Sequence, residues 1–424
     1  MFKVILFSMV ASSFVAMHSQ AQCELITFNF GSQSDVDAFP TMYPGCTTIG
    51  GITVMGDVQN LYGLQQIEEV LGNVIISSSA WASTPFPLTD IEGLDNIVSV
   101  GGFVSIGECP NLEANTIFNN LQYIGGYLGI NTGAPAQLFG FPNLDFIGGT
   151  FQVAYTNLAE LSICNGLQSV GGVNITNNNM LSTITSFSSL TQCNGLFSLT
   201  ENPLLMNPGV FNALETMPNG MQIMNCDGMT DLNGMGNIEM LGSLVIYGCD
   251  QLQSLSGLAI RSCTGAFSLT GNLQLHDITS LNTLNNFHSI AITGNPALND
   301  LNGLNGLNPY QTGASISIEN NVSLMDCRTD ALCGIVQVGL VPVNLGQNGG
   351  SACNSTQQLL SLCLTPTSSQ LASFDFNADG NINTLDLLEI LPAIGCVNDC
   401  PSYDFDGDGI VGVADLQVFL QNVY

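Results

Sequence analysis

The sequence predicts a mainly β chain, a right-handed parallel β-solenoid followed by a small α-helical module. Three observations predict it. An apolar-any-apolar triplet returns about every 23 residues from Ile52 to Ile318, and a fixed period in this range marks a repeat architecture rather than a set of unrelated strands. Most triplets are followed three residues later by Asn or Cys, and after three more by Leu or Met. Towards the C-terminus, two twelve-residue segments carry oxygen side chains at matching positions.

Residues 1–21 hold one Lys, an apolar run and the small-x-small site Ser19-Gln20-Ala21, which reads as a secretory signal. The apolar stretch is too short for a membrane anchor, so no transmembrane segment is expected after its removal. Residues 22–50 form an N-terminal cap, which a Cys23–Cys46 bridge would close. The repeats fill 51–363. Their twelve triplets begin at Ile52-Thr53-Val54 and end at Ile316-Ser317-Ile318, with last residues separated by 22, 30, 24, 23, 22, 24, 24, 23, 23, 23 and 26 positions. Alternation sends the two apolar residues inward and the middle one outward. Inward Asn178, Asn202, Asn272, Asn295 and Asn321 can satisfy loop backbone groups that would otherwise be buried unpaired. Leu181, Leu205, Met229, Leu252, Leu275, Leu298 and Leu324 then turn back inside. Gly pairs such as Gly125-Gly126 and Gly148-Gly149 are expected to supply positive φ where the chain bends into the next strand.

All 14 cysteines lie beyond the signal, an even number in an exported chain, so disulfides are expected. Cys226 and Cys249 hold the Asn position in successive repeats, where strand spacing brings their Cα atoms within disulfide range. They read either as a bridge or as two reduced cysteines standing in for Asn. Past the signal the only basic side chains are Arg261 and Arg328, against 33 acids. Nucleic acid and anionic membrane surfaces are excluded as partners, because both need cationic contacts. The acidity itself suits solubility in a salty medium, where screening weakens self-repulsion.

From Leu324 the pattern changes to Cys327-Arg-Thr-Asp-Ala-Leu-Cys333, a last strand at Val343-Asn344-Leu345, then Cys353-Asn354-Ser355 and Cys363. Over about 50–363 the chain resembles the receptor L-domain-like leucine-rich-repeat proteins secreted by Bacteroidetes of flavobacterial type. The resemblance implies that the Cys-x5-Cys segment and the later Cys-Asn-Ser with one further Cys close the repeats. It also implies a surface-exposed binding or adhesion protein, with no ligand common to the family.

Residues 364–373 read as a linker. In 374–424, one loop runs Asp375, Asn377, Asp379, Gly380, Asn381, Asn383, Asp386 and a second runs Asp404, Asp406, Asp408, Gly409, Ile410, Asp415. Oxygen ligands at positions 1, 3, 5 and 12, a backbone carbonyl at 7 and Gly at 6 are what Ca2+ requires, so two calcium ions are expected. Apolar position 8, Ile382 and Val411, would let the loops pair back to back. Asp at position 12, where an EF-hand has Glu, together with the following helices, resembles a duplicated dockerin repeat. That resemblance implies a cohesin-like partner; the other reading is a terminal module stabilised by calcium. Cys396 and Cys400 are expected to form a local disulfide.

No nucleophile motif surrounds His276 or His288, and no catalytic residue is assigned. A β-helix polysaccharide lyase would need a cation to stabilise developing charge, for which only Arg261 and Arg328 are present. The outward strand positions, Gln152, Asn174 and Gln222 among them, form a nearly uncharged hydroxyl and amide surface suited to a glycan or a cell-surface protein. The 30-residue repeat carries the only Trp, Trp81, with Phe86 beside it. These aromatics would contact a sugar or partner, or pack on the N-terminal cap. The sequence thus points to a secreted or cell-surface, non-enzymatic binding protein. The alternatives are a structural spacer docking through its terminal module and a polysaccharide-active β-helix enzyme.

Overall fold

The structure, a computed structural model, describes residues 20–78, 86–112, 116–131, 138–363 and 384–396, together with 376, 403, 411–413, 415, 416 and 420. It is mainly β, with 17% helix. One parallel sheet of 21 strands dominates it. Each of the twelve triplets is a strand, and each strand pairs in register with its equivalent in the next repeat, as Val173 with Phe197 and Phe197 with Met221. The apolar triplet positions are buried throughout, and Leu181, Leu205, Met229, Leu252, Leu275, Leu298 and Leu324 are fully buried.

Two strands extend this series. Thr27–Phe30, inside the segment expected to be only a cap, pairs with Gly51–Val54. Val343–Gly346 pairs with Ser315–Glu319 as expected. A second column of pairings lies ahead of the glycine corner, as Thr48–Ile49 with Glu69–Val70, and Met240–Leu241 with Ser262 and Cys263. Its inward positions include Ile49, Val70, Ile147, Cys193 and Cys263, all buried.

The asparagines do what their spacing predicts. Asn178, Asn202, Asn272, Asn295 and Asn321 are fully buried. Asn295 donates through Nδ2 to the carbonyls of Leu269 at 3.0 Å and Thr293 at 3.4 Å. Its Oδ1 accepts from the backbone N–H of Asn272 at 3.0 Å, and its own N–H donates to Oδ1 of Asn321 at 3.0 Å. The chain of amides passes through Asn321 to Asn348, a member the sequence reading missed. It ends where the Asn348 N–H donates to Oδ1 of Asn354 at 2.8 Å.

One expectation about the backbone is corrected. The Gly pairs of the corner do not have positive φ. Their role is close approach: a Cβ on Gly148 would stand 2.2 Å from the Gly125 carbonyl oxygen of the preceding repeat. Positive φ instead recurs immediately before the inward Asn, Cys or Thr156, at Tyr155, Asn177, Glu201, Asn225, Gly248, Gly271, Gly294 and Asn320 among others. That left-handed residue still donates its N–H to the next repeat, as Asn225 to the Tyr247 carbonyl at 2.9 Å, while turning the chain inward.

Both ends of the repeats are closed. Helix Gln33–Met42 starts at a Ser32/Asp35 capping box, and Phe28, Phe39 and Tyr43 pack edge-to-face above the first strands. The Cys23–Cys46 disulfide is present. At the other end, Cys327–Cys353 and Cys333–Cys363 are disulfides, and helix Asp330–Val338 is capped by the Thr329 hydroxyl, which accepts from the Leu332 N–H. The Cys-Asn-Ser motif acquires a physical role: Cys353 is bridged, Asn354 ends the amide chain, and the Ser355 hydroxyl accepts from the Gln358 N–H.

Replacing Asn295 by Ala would take the Nδ2 donor from the buried Leu269 carbonyl and the Oδ1 acceptor from the buried Asn272 N–H, while the Thr293 carbonyl keeps the Gly271 N–H at 3.0 Å. The expected loss is about 2–4 kcal/mol in a urea unfolding curve, at roughly 1–3 kcal/mol for each orphaned buried group after partial relaxation. Asn295→Cys, which mimics other repeats, should lose less; equal losses would refute the account of cysteine as a substitute donor.

Candidate binding face and metal loops

The middle strand positions turn outward, and Gln152, Asn174 and Gln222 sit half-buried on that face. From Thr53 to Asn344 the thirteen outward positions, Ser105, Gly129, Ser198, Val245, Ser268 and Ala291 among them, include no charged residue. Hydroxyls two residues apart pair with one another, Ser198 with Thr200 at 3.2 Å and Ser268 with Thr270 at 3.1 Å. The Gln222 amide lies against the Met224 sulfur. These three amides therefore stand on one continuous sheet surface, two repeats apart in the case of Asn174 and Gln222.

Phe86 does not belong to that surface. Its side chain is 2% exposed and lies in the core, and its carbonyl accepts from Asn111 Nδ2 at 2.9 Å. A bulky ring flanked by prolines in a long repeat looks like a projecting contact, but apolar burial claims it. Trp81 lies outside the described residues.

Exposed aromatic residues occur elsewhere, around the Gly125-Gly126 corner. Phe103 stacks on Tyr127 at 4.4 Å between centroids and Tyr123 on Phe146 at 5.1 Å, with interplanar angles of 10° and 2°. Tyr123 and Tyr127 are 44% and 37% exposed. The signal was legible: each pair holds the same position in successive repeats. Because the stacks join neighbouring repeats, the paired faces are occupied and the ring edges look outward.

An open groove of about 440 Å³ is lined by Asn212, Ala213, Glu215, Gly236, Asn237 and Glu239. Beside it Arg261 Nε stands 3.6 Å from Glu239 Oε1. Arg328 grips Asp326 with Nε and Nη2, the latter 2.5 Å from Oδ2, and this pairing holds the Asp326 carboxyl below its ordinary value. Both guanidinium groups thus face carboxylates on exposed surface.

The position-12 residues of the two oxygen-rich loops are described. Asp386 and Asp415 are fully buried. Asp386 Oδ1 accepts from the Phe376 N–H at 2.8 Å and Asp415 Oδ2 from the Gly412 N–H at 2.6 Å, so each carboxylate folds back onto its own loop. Residues 364–424 contain no Lys, Arg or His. The donor set fits a hard divalent cation. Asp375, Asn377, Asp379, Asn381, Asn383, Asp404, Asp406, Asp408 and Ile410 lie outside the described residues, and among the described residues no three His, Cys, Asp or Glu side chains converge. Of the two position-8 residues expected to pair, Ile382 lies outside the described residues; the Val411 N–H donates to the Cys396 carbonyl and its carbonyl accepts from the Gly395 N–H, at 3.0 and 2.8 Å. Cys396 is disulfide-bonded; Cys400 lies outside the described residues.

Of the two readings of Cys226 and Cys249, the bridge is not formed and the reduced pair is what the structure has. Both are reduced and buried, as are Cys109, Cys164, Cys193 and Cys263. Cys226 donates its S–H to the Leu199 carbonyl at 3.8 Å, in the manner of Asn202, whose Nδ2 donates to Ile175 one repeat earlier. The Cys249 N–H donates to Asn272 Oδ1 at 3.0 Å. A bridge would remove the donors these carbonyls need. Burial pushes the Cys109 thiol up from 9.0 to about 12 and those of Cys193 and Cys226 up to about 11.

Two outcomes follow from that burial. In the absence of reductant, a thiol reagent should label none of the six in the native protein and all six in denaturant; a count of four would restore the Cys226–Cys249 bridge. Since these thiols keep their protons in the folded state above the unfolded value near 9.0, stability should be intact below about pH 9 and decline as pH rises towards 11–12. Alkaline denaturation curves of the wild type and Cys226→Ser test this. Comparison with protein-family models, with curated proteins and with solved structures returns no match.

Proposed function

We propose that the chain is a secreted or cell-surface, non-enzymatic binding protein, a right-handed leucine-rich-repeat-like solenoid whose sheet face recognises a glycan or a protein. A calcium-stabilised, dockerin-like module follows it. The observation that carries this reading is the contrast between the face and the rest of the chain. The formal net charge is −30, yet the thirteen middle positions of the triplet strands from Thr53 to Asn344 are uncharged, and the acid that reaches them, Glu319, accepts from Ser317 and Asn344. Acidic residues such as Asp90, Asp231, Asp277 and Asp300 stand in the turns, where each accepts a backbone N–H two residues on. A face kept neutral while charge accumulates around it suits an extended uncharged ligand that pairs with hydroxyl and amide groups.

Export is supported by the signal-like N-terminus and by disulfides closing both ends of the repeats. No helix among the described residues is long and apolar enough to cross a membrane. In the C-terminal module, Asp386 and Asp415 would hold one ion each from position 12, joined by the remaining oxygens of their loops. The metal's contribution there is structural. A segment of this size buries little core, and its small cluster of Ile390 and Val411 with Phe376, Leu387 and Tyr403 gains its stability from ligand binding.

The test is a glycan array probed with the mature chain in calcium and again in chelator. Binding in both buffers, weakened at least tenfold by the triple change Gln152→Ala, Asn174→Ala, Gln222→Ala, is the expected result. Binding lost only in chelator would move recognition to the terminal module, and binding indifferent to the triple change would remove it from this face. Separately, calorimetry should count two calcium ions for the wild type and one each for Asp386→Asn and Asp415→Asn.

A further inference from the structure

We propose that the sheet face carries a subsite for one uncharged pyranose ring of a glycan, formed by the free face of Tyr127 together with Thr150, Asn131 and Gln152. It rests on the reading of that face as the recognition surface, and narrows the ligand from glycan or protein to a neutral saccharide. Alternation along a strand puts the residues flanking a triplet on the same side as its middle residue. Tyr127 and Asn131 therefore flank outward Gly129 on strand Leu128–Ile130. In the next repeat Gly129 pairs with Gln152 and Leu128 with Phe151, which sets Thr150 beside Tyr127.

The Tyr127 ring is stacked on one side only. Phe103, at the same position one repeat earlier, covers one face at 4.4 Å between centroids and 10°. On the other side the equivalent residue is Thr150, whose side chain is short, so the stack ends in a step and Tyr127 stays 37% exposed. The ring is also held at its edge. Gly129 is buried although it occupies an outward position, and a Cβ there would stand 3.2 Å from Tyr127 Cε2 and 3.3 Å from Asn131 Nδ2. Ring and amide thus meet over the glycine.

The polar groups around the step are uncommitted. Elsewhere on the face they answer one another, Ser198 with Thr200, Ser268 with Thr270 and Ser317 with Glu319. Among the described residues no hydrogen bond engages the side chain of Thr150, Asn131 or Gln152. A fixed apolar ring face rimmed by a free hydroxyl and free amides matches a sugar ring, which presents C–H groups on one face and hydroxyls around its edge. A protein partner needs a wider apolar centre than a single ring. The outward strand positions from Phe103 to Gln152 hold no carboxylate to favour a cation, and a net charge of −30 disfavours an acidic sugar.

Calorimetric titration of the full chain with cello-, manno-, xylo- and laminarihexaose, and with hexaguluronate as the acidic comparator, tests the subsite. At least one neutral hexamer should bind and hexaguluronate should not, and Tyr127→Leu and Thr150→Tyr should each weaken that binding about tenfold or more. Thr150→Tyr separates recognition from structure: a third ring extends the stack and fills the step, so the thermal midpoint holds or rises while the sugar is blocked. It also covers the case in which Tyr127→Leu does not fold. Tyr123→Leu, which breaks the equivalent stack on Phe146 across the Gly125-Gly126 corner, should lower stability and leave binding within about twofold. Binding that survives Thr150→Tyr within about twofold would overturn the subsite and leave the reading of the face to its own triple variant. Equal binding of hexaguluronate would overturn the neutral class, and no binding of any hexamer would overturn the subsite and the glycan reading of the face together.

Discussion

The later repeats depend on one interaction above others, the buried side-chain amide that joins Thr156 through Asn178 to Asn202 and Cys249 through Asn272, Asn295 and Asn321 to Asn348. Parallel strands repeating every 23 or so residues need sharp turns on both sides, and sharp turns leave carbonyl and N–H groups facing the core. Asn295 answers two carbonyls of its own and the preceding repeat with Nδ2, and the preceding backbone N–H with Oδ1. The burial of so polar a group is tolerated because every one of its functions is met. Once that spacing is fixed, the other columns follow: the triplet apolars, the returning Leu, and the glycines that let neighbouring corners approach.

The same logic explains which parts were legible in the sequence. Triplets, inward Asn and inward Leu were all read correctly, because each is a one-dimensional period with a single physical cause. Gly125 and Gly148 were seen but misassigned, since a sequence cannot separate a glycine required by φ from one required by a neighbour 23 residues away. The left-handed residue before each inward Asn escaped notice because its identity varies, from Gly294 to Glu201 to Asn177. An L-residue there is strained by roughly 1–2 kcal/mol, and the repeat accommodates it because the backbone pairing continues through that position.

Cysteine use divides by position rather than by compartment. Cys23, Cys46, Cys327, Cys333, Cys353 and Cys363 lie at the ends, where no further repeat supplies a backbone partner and a covalent link closes the core. Those inside the stack remain thiols and serve as small donors or apolar fillers. Even parity of cysteines in an exported chain therefore overstated the number of bridges. Cys164 illustrates the filler role: it stands 23 residues after Phe141 and 23 before Phe187, with positive φ like Phe141, and is fully buried.

The site was less legible than the fold for a physical reason. A repeat dictates what points inward and only tolerates what points outward, so Gln152, Asn174 and Gln222 could be placed on a face but not given a role by pattern alone. Phe86 shows the converse, an aromatic residue in an irregular repeat that the core absorbed. The two oxygen-rich loops are different, because oxygen side chains at fixed spacing single out particular residues. There the sequence pattern reached Asp386 and Asp415, and the structure added what spacing could not, that both carboxylates are buried and that the second loop is held through Val411 to the Cys396 connector.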